Sequence, residues 1–245
     1  MKILYFGGGF VGACSAAVSA DSGHEVLVYD INQALVNGLS SGDKDKIEAC
    51  LFEKGLGDLL IRNQSRIKFT FNLAEAEEFS HEAEAVFMCL PTPERDGTGE
   101  TNLEIYDTAA KTLGEILAKR NNGAQSRYVL IVNKSTVPID MVNRTKEILE
   151  ARGVKNFGVA NYILFSRLAN CFDVVGRVCE KFPGLSFENI RKVLISDGRI
   201  GDWGFYDSLF AGGSCFIKDA RSLAHQLKAS GAAADLVNDV LAANQ

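Results

Sequence analysis

The sequence predicts an α/β fold, a doubly wound parallel sheet followed by a small all-helical domain. Three observations predict it. Over residues 1–160, short runs rich in Ile, Leu, Val and Phe alternate with stretches of helical periodicity. A glycine-rich turn, Gly7-Gly8-Gly9-Phe10-Val11-Gly12, follows the first of those runs directly. After Ala160 the strand-like runs cease.

Taken in order, Lys2–Phe6 is an apolar strand, and residues 10–20 form a helix of small residues. A second strand, Glu25–Tyr29, ends at Asp30. Helical periodicity covers 32–39 and 45–61, the latter interrupted by Gly55 and Gly57. Residues 66–71 alternate as a strand, and 85–90 form a short buried one closed by Pro91-Thr92-Pro93. A long amphipathic helix over 103–119, a strand over 128–132, a helix over 139–152 and a strand over 156–159 complete the first part. Alternation at this spacing implies a parallel sheet with helices on both faces. Beyond it come an unusually apolar helix over 162–181, a shorter one over 187–195, a glycine-rich loop over 197–215, and helices over 218–229 and 233–242. The expected domains are therefore 1–160 and 161–245.

A net charge of -5 and a pI near 5.3 argue against nucleic acid or an anionic membrane as the main partner. Residues 1–5 run straight into the glycine turn, so they read as a first strand and not as a signal peptide. No apolar run approaches the ~20 residues that a membrane span needs. The six cysteines, Cys14, Cys50, Cys89, Cys171, Cys179 and Cys215, form no CxxC pair and have no adjacent His. That spacing suits neither zinc nor a disulfide framework, and it points to a reducing compartment, the cytoplasm.

Gly7, Gly9 and Gly12 make a G-x-G-x-x-G pattern between a strand and a helix, the Rossmann arrangement for a dinucleotide. The glycines serve the tight turn, the approach of backbone to the pyrophosphate, and close helix–strand packing. The helix start, with Phe10 and Val11, offers free N–H groups and a positive dipole end to the phosphates. Asp30, closing the second strand, is placed to accept from both ribose hydroxyls and would repel a 2′-phosphate, so the expected cofactor is NAD and not NADP.

Further segments carry a family resemblance. Phe52-Glu53-Lys54-Gly55-Leu56, Cys89-Leu90-Pro91-Thr92-Pro93 with Asp96-Gly97, and Lys134-Ser135-Thr136-Val137-Pro138 stand in order along the chain. They are followed by Asp197-Gly198-Arg199-Ile200-Gly201 and Gly212-Gly213-Ser214-Cys215-Phe216-Ile217-Lys218-Asp219. In order and spacing these resemble the UDP-glucose/GDP-mannose dehydrogenase family. The resemblance implies oxidation of the C6 primary alcohol of a nucleotide-linked hexose to a carboxylate with two NAD. A cysteine thiolate captures the aldehyde, and the resulting thioester is hydrolysed.

By that resemblance Cys215 is the nucleophile. Its place just before an expected helix and three residues from Lys218 also favours thiolate. Asp219 matches an aspartate that assists water and proton transfer; the lesser alternative is an acid at a helix start that serves the dipole. Thr136 matches the threonine that helps hold the water. Arg199 matches an arginine that reaches toward the partner subunit's substrate, with Gly212 and Gly213 in the substrate loop. Pro91, Thr92, Ser135 and Thr136 line the cofactor. The helix over 162–181 is apolar over more than one face and by resemblance pairs with its copy in a homodimer. Residues 1–160 are then an NAD-binding Rossmann domain, and 161–245 a helical central, dimerisation domain carrying the cysteine loop.

Two departures qualify the resemblance. The chain passes from Val159-Ala160 to Asn161-Tyr162 without the segment that supplies the family's catalytic glutamate and lysine. Asn161 matches the asparagine that pairs with that lysine at the oxyanion, but Phe157 stands where the lysine would be, and a plain helix N-cap accounts for Asn161 equally well. Either the chain is a compact natural variant or it lacks an intervening stretch. It also ends, at Gln245, where the family's second nucleotide-binding domain would begin. Two further functions therefore stand beside the first: a degenerate NAD-binding module without turnover, and a dehydrogenase of a small non-nucleotide alcohol. His24, His81 and His225 have no partner at catalytic spacing, and Cys14, Cys171 and Cys179 read as core. Trp203 and Phe205 serve as a substrate wall or as loop anchors.

Overall fold

The computed structural model describes residues 1–95, 98–120, 127–135, 137–138, 140–161, 192, 214–231, 234, 237–238 and 241–242, without the side chains of 214–217. Two compact units divide the chain: Met1–Pro93 with Asn102–Ile163, and Glu94–Thr101 with Leu164–Gln245.

The first unit is built on six parallel strands, β1 (Lys2–Phe6), β2 (Glu25–Tyr29), β3 (Ile67–Thr70), β4 (Ala85–Met88), β5 (Val129–Asn133) and β6 (Phe157–Asn161). Their order across the sheet is β3-β2-β1-β4-β5-β6, the doubly wound order of a Rossmann domain. Alternate residues of β1 feed two cores. Ile3 and Tyr5 share a core with α1 (Phe10–Asp21), while Leu4 and Phe6 belong to the core that includes buried residues of α6 (Glu104–Arg120) and α7 (Met141–Glu150). Ala13, Ala16, Ala17 and Ala20 of α1 are wholly buried, so small side chains let that helix lie close on the sheet.

The helical stretch expected over 45–61 is two helices, α3 (Lys44–Leu51) and α4 (Leu56–Arg62), after α2 (Gln33–Leu39). The chain reverses between them because Phe52 and Gly55 both take left-handed backbone, at φ 54° and 88°. Gly57 does not interrupt anything: it lies inside α4, and a β-carbon there would fall 2.7 Å from the Lys44 carbonyl oxygen. A further helix, α5 (Leu73–Ser80), has no counterpart in the sequence reading. It starts at Asn72, whose side chain accepts from Ala74 N–H.

Strand β6 runs to Asn161, so the 160/161 division cuts it one residue before its end, and the helix expected to follow Asn161 lies outside the described residues. Asn161 pairs in register with Asn133, and its Oδ1 accepts from Asn133 Nδ2 at 2.8 Å. That bond belongs to a buried set. The Tyr106 hydroxyl donates to Asn133 Oδ1 and lies 2.9 Å from Thr145 Oγ1, and Thr145 donates to Met141 O at 2.7 Å. Tyr106, Asn133 and Thr145 are wholly buried, and burial pushes the Tyr106 phenol up to about 12. The set thus joins α6, β5, α7 and β6 through uncharged hydrogen bonds. No helix among the described residues is long and apolar enough to cross a membrane.

Tyr106→Phe keeps the ring and strands Asn133 Oδ1 in the core. It should destabilise the protein by about 1–3 kcal/mol, read as a lower urea midpoint at constant slope. A midpoint equal to that of the parent protein would mean that the set contributes nothing.

Candidate dinucleotide site and the cysteine helix

The turn from β1 into α1 is closed by two glycines for steric reasons. Gly7 has φ 102°, and a β-carbon on it would fall 2.1 Å from the Cys89 carbonyl oxygen. A β-carbon on Gly12 would fall 1.9 Å from Gly7 O. Gly7 N–H donates to Tyr29 O at 2.9 Å, tying the turn to the end of β2.

Gly9 is different. A β-carbon there would meet nothing of the protein within 4 Å, so the fold itself does not require glycine. It is the N-cap of the 12-residue helix α1, which has no side-chain cap and no acid in its first turn. Phe10 and Val11 flank this helix end, 53% and 45% exposed. Open space over the Gly9 backbone, uncapped N–H groups and the positive end of a helix dipole fit a diphosphate.

Asp30, just after β2, faces the same turn. Its Oδ2 accepts from Gly8 N–H at 2.6 Å and its Oδ1 from Asn32 N–H at 2.8 Å. A carboxylate has about four lone-pair positions, so one on each oxygen remains for a diol. The Gly8–Asp30 bond, which the sequence reading missed, makes Asp30 a brace of the glycine turn.

The other half of the carboxyl edge is formed by the turns after β4 and β5. Ser135 joins them: its hydroxyl accepts from Leu90 N–H at 2.7 Å and donates to Met88 O at 3.2 Å. Thr92 is buried and Pro91 exposed. Cys89 packs under the glycine turn, where burial pushes its thiol up to about 12. Burial also pushes the Lys134 ammonium down and the Cys14 thiol up. Thr136, Asp96 and Gly97 lie outside the described residues, as do Arg199, Gly212, Gly213, Trp203, Phe205 and the helix expected over 162–181.

In the second unit the described core element is α8 (Ser214–Ala229). It starts four residues earlier than expected, so Cys215 occupies its first turn and is not a loop residue. The first-turn N–H groups and the dipole there favour a thiolate. Asp219 is too far along for the alternative role of a helix-start acid, since the first turn of α8 holds no acidic residue. It pairs instead with Lys218, whose Nζ is 2.8 Å from Asp219 Oδ1.

With this geometry in place, relatives are informative. Residues 1–167 match the NAD binding domain of the UDP-glucose/GDP-mannose dehydrogenase family, and residues 154–245 match the central domain of the same family. A UDP-glucose 6-dehydrogenase of Bacillus subtilis is 32% identical over 170 residues, which are 68% of this chain and 33% of that protein. One from Pseudomonas aeruginosa is 26% identical over 313 residues, taking in 100% of this chain and 65% of that protein. The 245 residues here cannot fill that span, so the relative carries residues within it that face none in this chain. The chain spans less than two thirds of the length of either relative. A solved UDP-glucose dehydrogenase from the hyperthermophilic archaeon Pyrobaculum islandicum shares the fold, with TM-score 0.75 at 23% identity over 99% of this chain and 67% of that one. The first domain is thus an NAD-binding domain, in agreement with the open helix end and with Asp30. This chain belongs to the UDP-glucose/GDP-mannose dehydrogenase family.

Proposed function

We propose that the chain oxidises a primary alcohol to a carboxylate with NAD, at C6 of a nucleotide-linked hexose, through a covalent adduct on Cys215. The observation that carries this reading is the presence in one family member of an uncapped, glycine-lined helix end and a cysteine in the first turn of a second helix. Residues 1–160 serve as the NAD-binding domain and 161–245 as the helical central domain.

Bound NAD supplies the acceptor for the hydride lost in each of two oxidations. The rest falls to the chain. Gly7, Gly9 and Gly12, with the N–H groups of Phe10 and Val11, hold the diphosphate. Asp30 holds the ribose hydroxyls, and Pro91, Thr92, Ser135 and Thr136 border the nicotinamide side. After the first oxidation the Cys215 thiolate adds to the aldehyde carbon and the carbonyl oxygen takes the electron pair, giving a thiohemiacetal. Oxidation of that adduct leaves a thioester. Water then breaks the C–S bond, releasing the carboxylate and returning the thiol. Lys218 supports the thiolate, Asp219 handles the water proton, and Thr136 helps hold that water. Asn161 has its Oδ1 engaged by Asn133, which leaves its amide N–H groups for an oxyanion. Arg199, Gly212 and Gly213 border the substrate. A homodimer in the cytoplasm completes the proposal, with free thiols at Cys14, Cys50 and Cys89 suiting a reducing compartment.

A second reading, an NAD-binding module without turnover, draws on a specific observation. Phe157, four residues before Asn161, is a strand residue of β6, and no lysine stands there to pair with Asn161.

Gly9→Ala should leave the melting temperature unchanged and weaken NAD by about tenfold or more, because the added methyl meets only ligand. Gly12→Ala should instead destabilise the fold. Calorimetric NAD affinity equal to that of the parent protein in Gly9→Ala would sink the diphosphate assignment. Asp30→Ala should narrow the preference for NAD over NADP.

Cys215→Ser should still fold and bind NAD while acid formation falls by orders of magnitude, since a serine hydroxyl is a far poorer nucleophile than a thiolate. Iodoacetamide at pH 7 should label Cys215 faster than Cys14 or Cys89, whose thiols burial holds protonated. NAD binding without NADH formation from any nucleotide sugar would favour the module without turnover.

A further inference from the structure

We propose that the excursion Glu94–Thr101 is a clamp on α8, with Thr101 and Ser222 acting as positioning residues for Cys215, a role that rests on the reading of Cys215 as the nucleophile. Connections from strand to helix in α/β units commonly take about 2–6 residues. Here the path from the end of β4 to the start of α6 takes residues 89–103. The described residues of this surplus form the base of a short stub. Its base is shut by Asn102 N–H donating to Pro93 O at 2.7 Å and by an antiparallel bridge between Glu94 and Thr101. Arg95 N–H donates to Glu100 O at 2.8 Å, and Gly99 N–H donates to Glu94 Oε1 at 2.8 Å.

This stub meets α8 at three points. The Thr101 and Ser222 hydroxyls are 2.7 Å apart, joining residues 121 positions apart in the chain, and Ser222 is buried. Glu94 Oε2, on the carboxylate that closes the stub, lies 3.6 Å from Arg221 Nη1. Gly99, at φ 80°, brings its backbone so close that a β-carbon would stand 3.0 Å from Arg221 O and 3.3 Å from His225 Cβ. A partly exposed ion pair is worth little alone, so the hydroxyl pair and the backbone approach at Gly99 set the position.

Seven residues separate Cys215 from Ser222, which is two helical turns with a drift of about 20°. Cys215, Lys218, Asp219 and Ser222 therefore occupy positions along one helical stripe, and the clamp reaches that stripe at Ser222. Because a helix is stiff over two turns, a shift or rotation at Ser222 is passed to Cys215. A misplacement of about 1 Å can cost on the order of a hundredfold in rate.

The test is Thr101→Val, which keeps the shape and removes the hydroxyl. Ser222 keeps a partner in Gln226, whose Nε2 donates to its Oγ at 3.0 Å, so the fold has no new orphan. Labelling of Cys215 by iodoacetamide, followed by peptide mapping from pH 6 to 9 with Cys89 as internal reference, should slow by about threefold at pH 7, with NAD affinity unchanged. Thr101→Ser should restore the parent rate, and Ser222→Ala should repeat the loss from the other side. Where acid formation is measurable, kcat should fall by about tenfold in Thr101→Val with KM unchanged. If Cys215 of the parent protein labels no faster than Cys89, the nucleophile reading fails and the clamp falls with it. If it labels fast and Thr101→Val and Ser222→Ala keep the parent pH profile, the clamp alone is wrong.

Discussion

Two residues without a β-carbon allow the carboxyl edge of the sheet to close. At Gly7 the backbone comes so near the Cys89 carbonyl that any side chain would overlap it, and Gly12 repeats the condition one helical step later against Gly7 itself. Through these two approaches β1, β4 and the first turn of α1 meet at one place, with Cys89 packed beneath and unable to ionise near neutral pH. Only with the turn this tight does the end of α1 stay open above it. A bulkier turn would fill the space into which the uncapped N–H groups point, and the proposed diphosphate site would be lost along with the packing.

Around that closure, polar groups fix what sterics leave loose, and each is used twice. Asp30 braces Gly8 and Asn32 while keeping acceptor positions for a ribose. Ser135 joins the turns after β4 and β5 on the side assigned to the nicotinamide. Asn133 accepts a hydrogen bond from Tyr106 on its oxygen, which commits its amide nitrogen to Asn161 and so fixes which way the Asn161 amide faces. Hydrogen bonds of this kind contribute about 1 kcal/mol each to stability. Their greater effect is directional, because each decides whether a donor or an acceptor is presented at the edge of the sheet.

The same electrostatics appears at two helix starts. In α1 the open first turn suits a diphosphate; in α8 the first turn holds Cys215, where it suits a thiolate. Fixing α8 by the Thr101–Ser222 and Glu94–Arg221 contacts assigns a physical task to a connection far longer than a strand-to-helix step needs. The long excursion after β4 is then a part of the proposed chemistry supplied by sequence that carries no reactive group of its own.

By itself the sequence determined the alternation of strands and helices through β5, the glycine turn, Asp30 at the end of β2, and the family. These depend on patterns spanning a few residues: period-two and helical apolar spacing, and glycines set between a strand and a helix. It did not disclose α5, whose small buried residues Ala76 and Ser80 leave a faint apolar stripe. Nor did it place the end of β6, because the polar Asn161 breaks the apolar strand pattern and its partner Asn133 is 28 positions away. The start of α8 lay among glycines that masked the helical period, so Cys215 read as a loop residue. Only the tertiary structure decided the braces and the clamp, because Gly8–Asp30 and Thr101–Ser222 join residues 22 and 121 positions apart. Contacts at that separation follow from how whole elements pack, and no local pattern encodes them.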